Sequence, residues 1–119
     1  MRVGTDDMYG GPLEDKYDLY AALAYNDVEV SAKPKKIHLE LTGENDGAEW
    51  HWLVELENGS FAYIHGGCDY TGWGCQSSAE AHEAEDLPGA LVLVDEATRA
   101  VFSEMLEKGE TVHENRYSW

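Results

Sequence analysis

The sequence predicts an α+β fold, in which an antiparallel sheet of three or more strands runs as a meander and packs with two main helices. Three observations predict it. Residues 37–42 and 48–56 alternate apolar and polar side chains with the period of two that a half-buried strand requires. Asn58-Gly59, a preferred hairpin dipeptide, separates the second of these runs from a third at residues 61–65. Two stretches with helical periodicity, at about 12–25 and 96–108, flank the strands.

Taken in order, residues 1–10 are rich in Asp and Gly, lack a period and are expected to form a flexible arm. Pro12 then suits the first turn of a helix, where its missing N–H costs nothing, and Glu14 and Asp15 lie where the helix dipole favours negative charge. Leu13, Tyr17, Tyr20 and Ala24 share one face of that helix, and Leu19 and Leu23 broaden the stripe. Asn26-Asp27 ends it. Val28-Glu29-Val30 reads as a short strand, and Lys33-Pro34-Lys35-Lys36 as a break forming a solvated basic turn.

In the first long strand Ile37, Leu39 and Leu41 alternate with His38, Glu40 and Thr42; residues 43–47 then supply a loop. The second strand sets Trp50, Trp52, Val54 and Leu56 against Glu49, His51, Leu53 and Glu55. A two-residue type I′ turn at Asn58-Gly59 needs positive φ at both positions. It would pair Leu56 with Phe61, Val54 with Tyr63 and Trp52 with His65 on one face, and Leu53 with Ile64 on the other.

Residues 79–86 have helical propensity and an acidic surface, so one or two turns of helix are expected there. Leu87-Pro88-Gly89 interrupts them, and residues 90–94 read equally as a buried strand or as the first turns of a helix. Asp95 is placed to cap a helix over about 96–108, with Ala97, Val101, Phe102, Met105 and Leu106 inward and Gly109 as its stop. The tail, 110–119, carries Val112, Tyr117 and Trp119; it either docks back or forms a second flexible arm. The expected core is Leu13, Tyr17, Tyr20, Leu39, Leu41, Trp50, Trp52, Val54, Leu56, Phe61, Tyr63, Val101 and Met105.

A chain of 119 residues that is 43% hydrophobic can bury one core, so residues 1–119 are read as a single domain. Its 24 acidic and 8 basic residues give a net charge of −16, spread so evenly that residues 1–59 and 60–119 carry −8 each. Such a field repels phosphate and anionic lipid, which argues against direct nucleic-acid or membrane binding and favours a basic protein partner. No apolar run approaches the roughly 20 residues that span a bilayer, and residues 1–7 contain no apolar signal core. A soluble, cytoplasmic protein is therefore expected, in which two cysteines make no disulfide framework.

The segment from Cys68 to Ser78 has a signature of its own. Potential metal ligands fall as His65, Cys68, Cys75 and His82, and zinc accepts two thiolates and two imidazoles in a tetrahedron. A Cys68–Cys75 bridge and two mostly buried thiols are the alternatives, and the latter is the plainest reading. Asp69, Tyr70, Trp73 and Gln76 combine flat rings with polar handles, as contact surfaces do, and Glu80, Glu83, Glu85 and Asp86 extend that surface with carboxylates. Folding back of the rings as a lid over the sheet is the competing reading. The order Cys-Asp-Tyr-Thr-Gly-Trp-x-Cys-Gln-Ser, after an aromatic strand, resembles a segment of small uncharacterised proteins of actinobacteria and their phages. The resemblance implies no activity.

Enzymatic readings find little support in the residues. A thiol paired with His65 or His82 is the minimum for cysteine catalysis, yet no elbow or oxyanion-hole pattern surrounds either cysteine. His51 beside Glu49 and Glu55 has the makings of a general base, in a chain where carboxylates are everywhere. The glycines at 66, 67, 72 and 74 are followed by no Gly-Lys-Ser/Thr and make no phosphate loop. The expected function is thus a small acidic interaction module without enzymatic activity, engaging a basic, nucleic-acid-binding host protein as a nucleic-acid mimic or inhibitor. The alternative is a zinc-stabilised or small-ligand-binding domain centred on residues 65–82, and a thiol enzyme comes last.

Overall fold

Five strands and three helices follow one another in a computed structural model that describes residues 17–43, 48–67 and 78–114. They run α1 (Tyr17–Tyr25), β1 (Pro34–Thr42), β2 (Trp50–Leu56), β3 (Phe61–Gly67), β4 (Ser78–Ala84), α2 (Leu87–Leu93), α3 (Glu96–Lys108) and β5 (Val112–Glu114). The sheet order is β4-β3-β2-β1-β5, antiparallel throughout except for the parallel β1–β5 pair. This is the expected α+β meander, enlarged by a strand at each side and by a third helix. Among the described residues no helix is long and apolar enough to cross a membrane.

Helices cover both faces of the sheet. α1 lays Leu19, Tyr20, Ala22 and Leu23 on Trp52, Val54, Leu56, Ala62 and Ile64. α2 and α3 bring Ala90, Val94, Phe102 and Met105 onto Leu39, Leu41, Leu53 and Tyr63. Between them β2 is buried on both sides at every position except Glu55, which is half-buried. Of the expected core, Leu13 lies outside the described residues, as does the side chain of Tyr17. Phe61 and Val101 are only partly buried, and the others are buried.

The β2–β3 turn departs from expectation, and the whole sheet follows it. Only Gly59 is left-handed, at φ 88°, so the connection is a three-residue loop: Gly59 N–H donates to the Leu56 carbonyl (3.0 Å) and Leu56 N–H to that of Ser60 (2.8 Å). The Asn58 carboxamide accepts from Ser60 N–H at 3.0 Å and donates to the Ser31 hydroxyl at 2.8 Å. These contacts hold Asn58 without the strained left-handed backbone a type I′ turn would demand. The register becomes Glu55–Phe61, Leu53–Tyr63, Trp52–Ile64 and His51–His65. A one-residue shift moves every β3 side chain to the other face, so the expected pairs Leu56–Phe61, Val54–Tyr63, Trp52–His65 and Leu53–Ile64 do not form.

A β-bulge does similar work in β1. Ile37 opposes Val54 and Leu39 opposes Leu53, which leaves His38 as the extra residue. Ile37 therefore joins the α1 layer while Leu39 and Leu41 join the α2/α3 layer, although the sequence alternates through all three. The basic break is also taken into the strand, since β1 begins at Pro34.

Residues 78–84 form strand rather than helix. Local propensity is a weak force of tenths of a kcal/mol per residue, and here the open edge of β3 provides a continuous ladder from Phe61–Ala84 to Gly67–Ser78. Ala79 and Ala81 pack in the α1 layer, and Glu80 and His82 point the other way. The ambiguity at 90–94 resolves as helix: Asp86 caps α2 by accepting from Gly89 N–H (2.8 Å), with Pro88 in the first turn. α3 keeps its expected limits, between the Asp95 cap and Gly109 at φ 72°. Within the tail, residues 112–114 pair with 40–42 of β1 and are not a free arm.

Candidate functional site

The shifted register gathers the titratable side chains of three strands on one face. His51 (β2) lies opposite His65 (β3); His65 lies opposite Glu80, and Tyr63 opposite His82 (β4). Their rings stack across the strands, with centroid separations of 6.1 Å for His51–His65, 5.8 Å for His65–His82 and 5.2 Å for Tyr63–His65. Phe102 of α3 meets the Tyr63 ring edge-on, so the stack rests on packed core.

The inner half of the cluster is a hydrogen-bonded relay. Tyr63 donates its hydroxyl proton to Asp95 Oδ1 (3.2 Å), so His51 Nδ1, 2.8 Å from the Tyr63 hydroxyl oxygen, is the donor to that oxygen. Asp95 also accepts from Thr98 N–H at 3.1 Å and so joins the relay to the start of α3. Burial holds the His51 imidazole below its usual range, against the pull of Glu49 and Asp95. Burial pushes the Tyr63 phenol well up, helped by Asp95. Partial burial would raise the Asp95 carboxyl, but hydrogen bonds from Thr98 and Tyr63 outweigh it and leave the group below the ordinary carboxylate range. At neutral pH the relay is thus a neutral imidazole, a neutral phenol and a carboxylate.

The outer half opens to solvent. Glu80 Oε2 lies 3.3 Å from His65 Nε2 and 3.4 Å from His82 Nε2, while the other nitrogen of His65 faces Glu49 Oε2 at 3.8 Å. The His65, His82 and Glu80 side chains are 25%, 44% and 66% exposed, a gradient running from the sheet interior to its edge.

Of the four ligands expected from spacing, the fold brings His65 and His82 together; Cys68 and Cys75 lie outside the described residues, as do Asp69, Tyr70, Trp73 and Gln76. Glu80, expected only as a contact residue, sits between the two imidazoles. The rest of the acidic stretch divides. Glu83 accepts from the backbone N–H (2.9 Å) and hydroxyl of Ser31, Asp86 caps α2, and Glu85 stands exposed. His51, which beside Glu49 and Glu55 has the makings of a general base in the sequence, is buried within the relay. Tyr63 is expected from the sequence as a core residue on the face of Phe61 and His65; its place between His51 and Asp95 follows only from the observed register. Compared with known proteins, the chain matches no family model, no curated protein and no solved structure.

Proposed function

We propose that the protein is an acidic interaction module whose carboxylate surface engages a basic, nucleic-acid-binding protein, occupying its phosphate-binding groove as a mimic or inhibitor. What carries this reading is the uncompensated charge of −16. Of the described cations, Lys35 and Lys36 stand exposed at the start of β1, and two others are engaged elsewhere in the chain. Arg99 is turned onto the carbonyls closing α2, at 3.0 Å from Leu91 and 2.6 Å from Val94, and Lys108 is paired with Glu104 at 2.7 Å. Glu57, Glu85, Glu96 and Glu107 stand exposed. Association driven by such a field is steered over long range and screened by salt.

The test is recovery of partners on the immobilised full chain across a salt series, with duplex DNA as competitor. Basic nucleic-acid-binding proteins should dominate at about 0.1 M salt, fall roughly tenfold or more by about 0.5 M, and be displaced by DNA. Partners that are indifferent to both salt and DNA would refute the mimicry. The alternative reading, a metal-binding domain, is favoured by a separate observation, the two imidazoles meeting on Glu80.

A further inference from the structure

We infer that His65, Glu80 and His82 form a binding site for a divalent transition-metal ion of the zinc class, with Glu49 orienting His65 from behind. The ligands come from two strands, His65 directly opposite Glu80 and His82 two residues further along β4 on the same face. An ion bonded at about 2.0–2.1 Å in a tetrahedron holds its ligand atoms about 3.3–3.4 Å apart. Glu80 Oε2 stands 3.3 Å and 3.4 Å from the two Nε2 atoms, and all three donor atoms lie within 4.8 Å of one another. The two spacings from Glu80 to the imidazoles are thus already those of a coordinated ion.

Three further features suit a metal better than a chance ion pair. Glu49 Oε2, 3.8 Å from His65 Nδ1, lies on the side from which a carboxylate drawn into hydrogen-bond range would favour the Nδ1–H tautomer and free the Nε2 lone pair for the site, as outer carboxylates do for metal-bound histidines. The imidazoles are stacked on each other and on Tyr63, whose own hydroxyl is fixed by His51 and Asp95, so the ligands are held before any ion arrives. The net charge of −16 raises the local concentration of cations. Two imidazoles and one carboxylate select zinc, cobalt or nickel over magnesium and calcium, which prefer all-oxygen shells.

The experiment is titration of the full chain with cobalt(II), followed by the visible absorption of the ion and by calorimetry, with zinc as competitor. One ion per chain should bind and be displaced by zinc. His82→Ala and Glu80→Gln, both on exposed side chains, should each weaken binding about tenfold or more. Glu85→Gln, which removes the same charge a few residues away, should change it less than about twofold. Glu49→Gln should fall between them. Absence of stoichiometric uptake, or equal losses in Glu80→Gln and Glu85→Gln, would reduce the site to diffuse counter-ion attraction and overturn the assignment. So would an intense thiolate-to-cobalt band that survives His82→Ala and vanishes in Cys68→Ser or Cys75→Ser.

Discussion

The two faces of this sheet solve different problems with the same backbone. On the α1 face the packed centre is apolar but for the carboxylate of Glu40, which is 5% exposed and accepts from Trp52 Nε1 at 2.7 Å, while Glu83 lies at the β4 edge of that face and accepts from Ser31. On the α2/α3 face an apolar half under Phe102 and Met105 gives way to an imidazole, phenol and carboxylate half that reaches solvent along β4. Burial without exit makes the first face a source of stability. Burial that grades into exposure lets the second hold polar groups in place while leaving them accessible, which is what a binding site needs.

The sharpest way to break this contrast is to strike the α1 face at its centre. Trp52→Ala removes a fully buried indole and the hydrogen bond it donates to Glu40, and should cost about 3–5 kcal/mol in urea denaturation. A loss below about 1 kcal/mol would show that the face tolerates being hollowed.

On the other face Tyr63→Phe keeps the ring and deletes the hydroxyl between His51 and Asp95. About 1–3 kcal/mol should be lost, because the buried His51 Nδ1–H loses its acceptor. The pH profile separates this from simple packing. His51 titrates lower when folded than its usual 6.5, and Asp95 lower than its usual 3.8, so the unfolded chain binds the extra protons and stability falls as pH drops below each usual value. Tyr63 titrates higher than its usual 10.0, so here the unfolded chain ionises first and stability falls as pH rises above 10. Wild type should thus be most stable between those limits. In Tyr63→Phe the alkaline decline should be reduced, and an unchanged decline would place its origin elsewhere.

The smallest effect belongs to the turn that assigns residues to faces. Gly59→Ala puts a Cβ on a backbone at φ 88° and should cost about 1–2 kcal/mol with no change in register, as hydrogen exchange of β3 would report. A neutral substitution would mean that the loop relaxes to another turn.

Which parts of this were legible follows from the range of the forces involved. Asp95 and Gly109 act on the helix between them through neighbouring backbone groups, and α3 was read to its ends. The strands β1 to β3 announce themselves by alternation, but alternation leaves open which side of one strand meets which side of the next. That was decided by the backbone conformation of Asn58 and by the bulge at His38, each a choice of one residue. β4 was hidden because Ala and Glu favour helix when alone, and only the β3 edge reverses the preference. The site inherits these difficulties: His65 and His82 could be named from spacing, whereas Glu80 as their common partner, and His51 with Tyr63 as their floor, depend on registers set by distant pairing.

β5 gives the fold an order of assembly. The meander from β1 to β4 closes through connections between successive strands, whereas β5 can pair only after α2 and α3 have carried the chain back, joining position 112 to position 40. Its three-residue ladder repays that long closure with few contacts. β5 should therefore be the last strand to arrive and the first to leave, and hydrogen exchange faster at residues 112–114 than at 50–56 would report it.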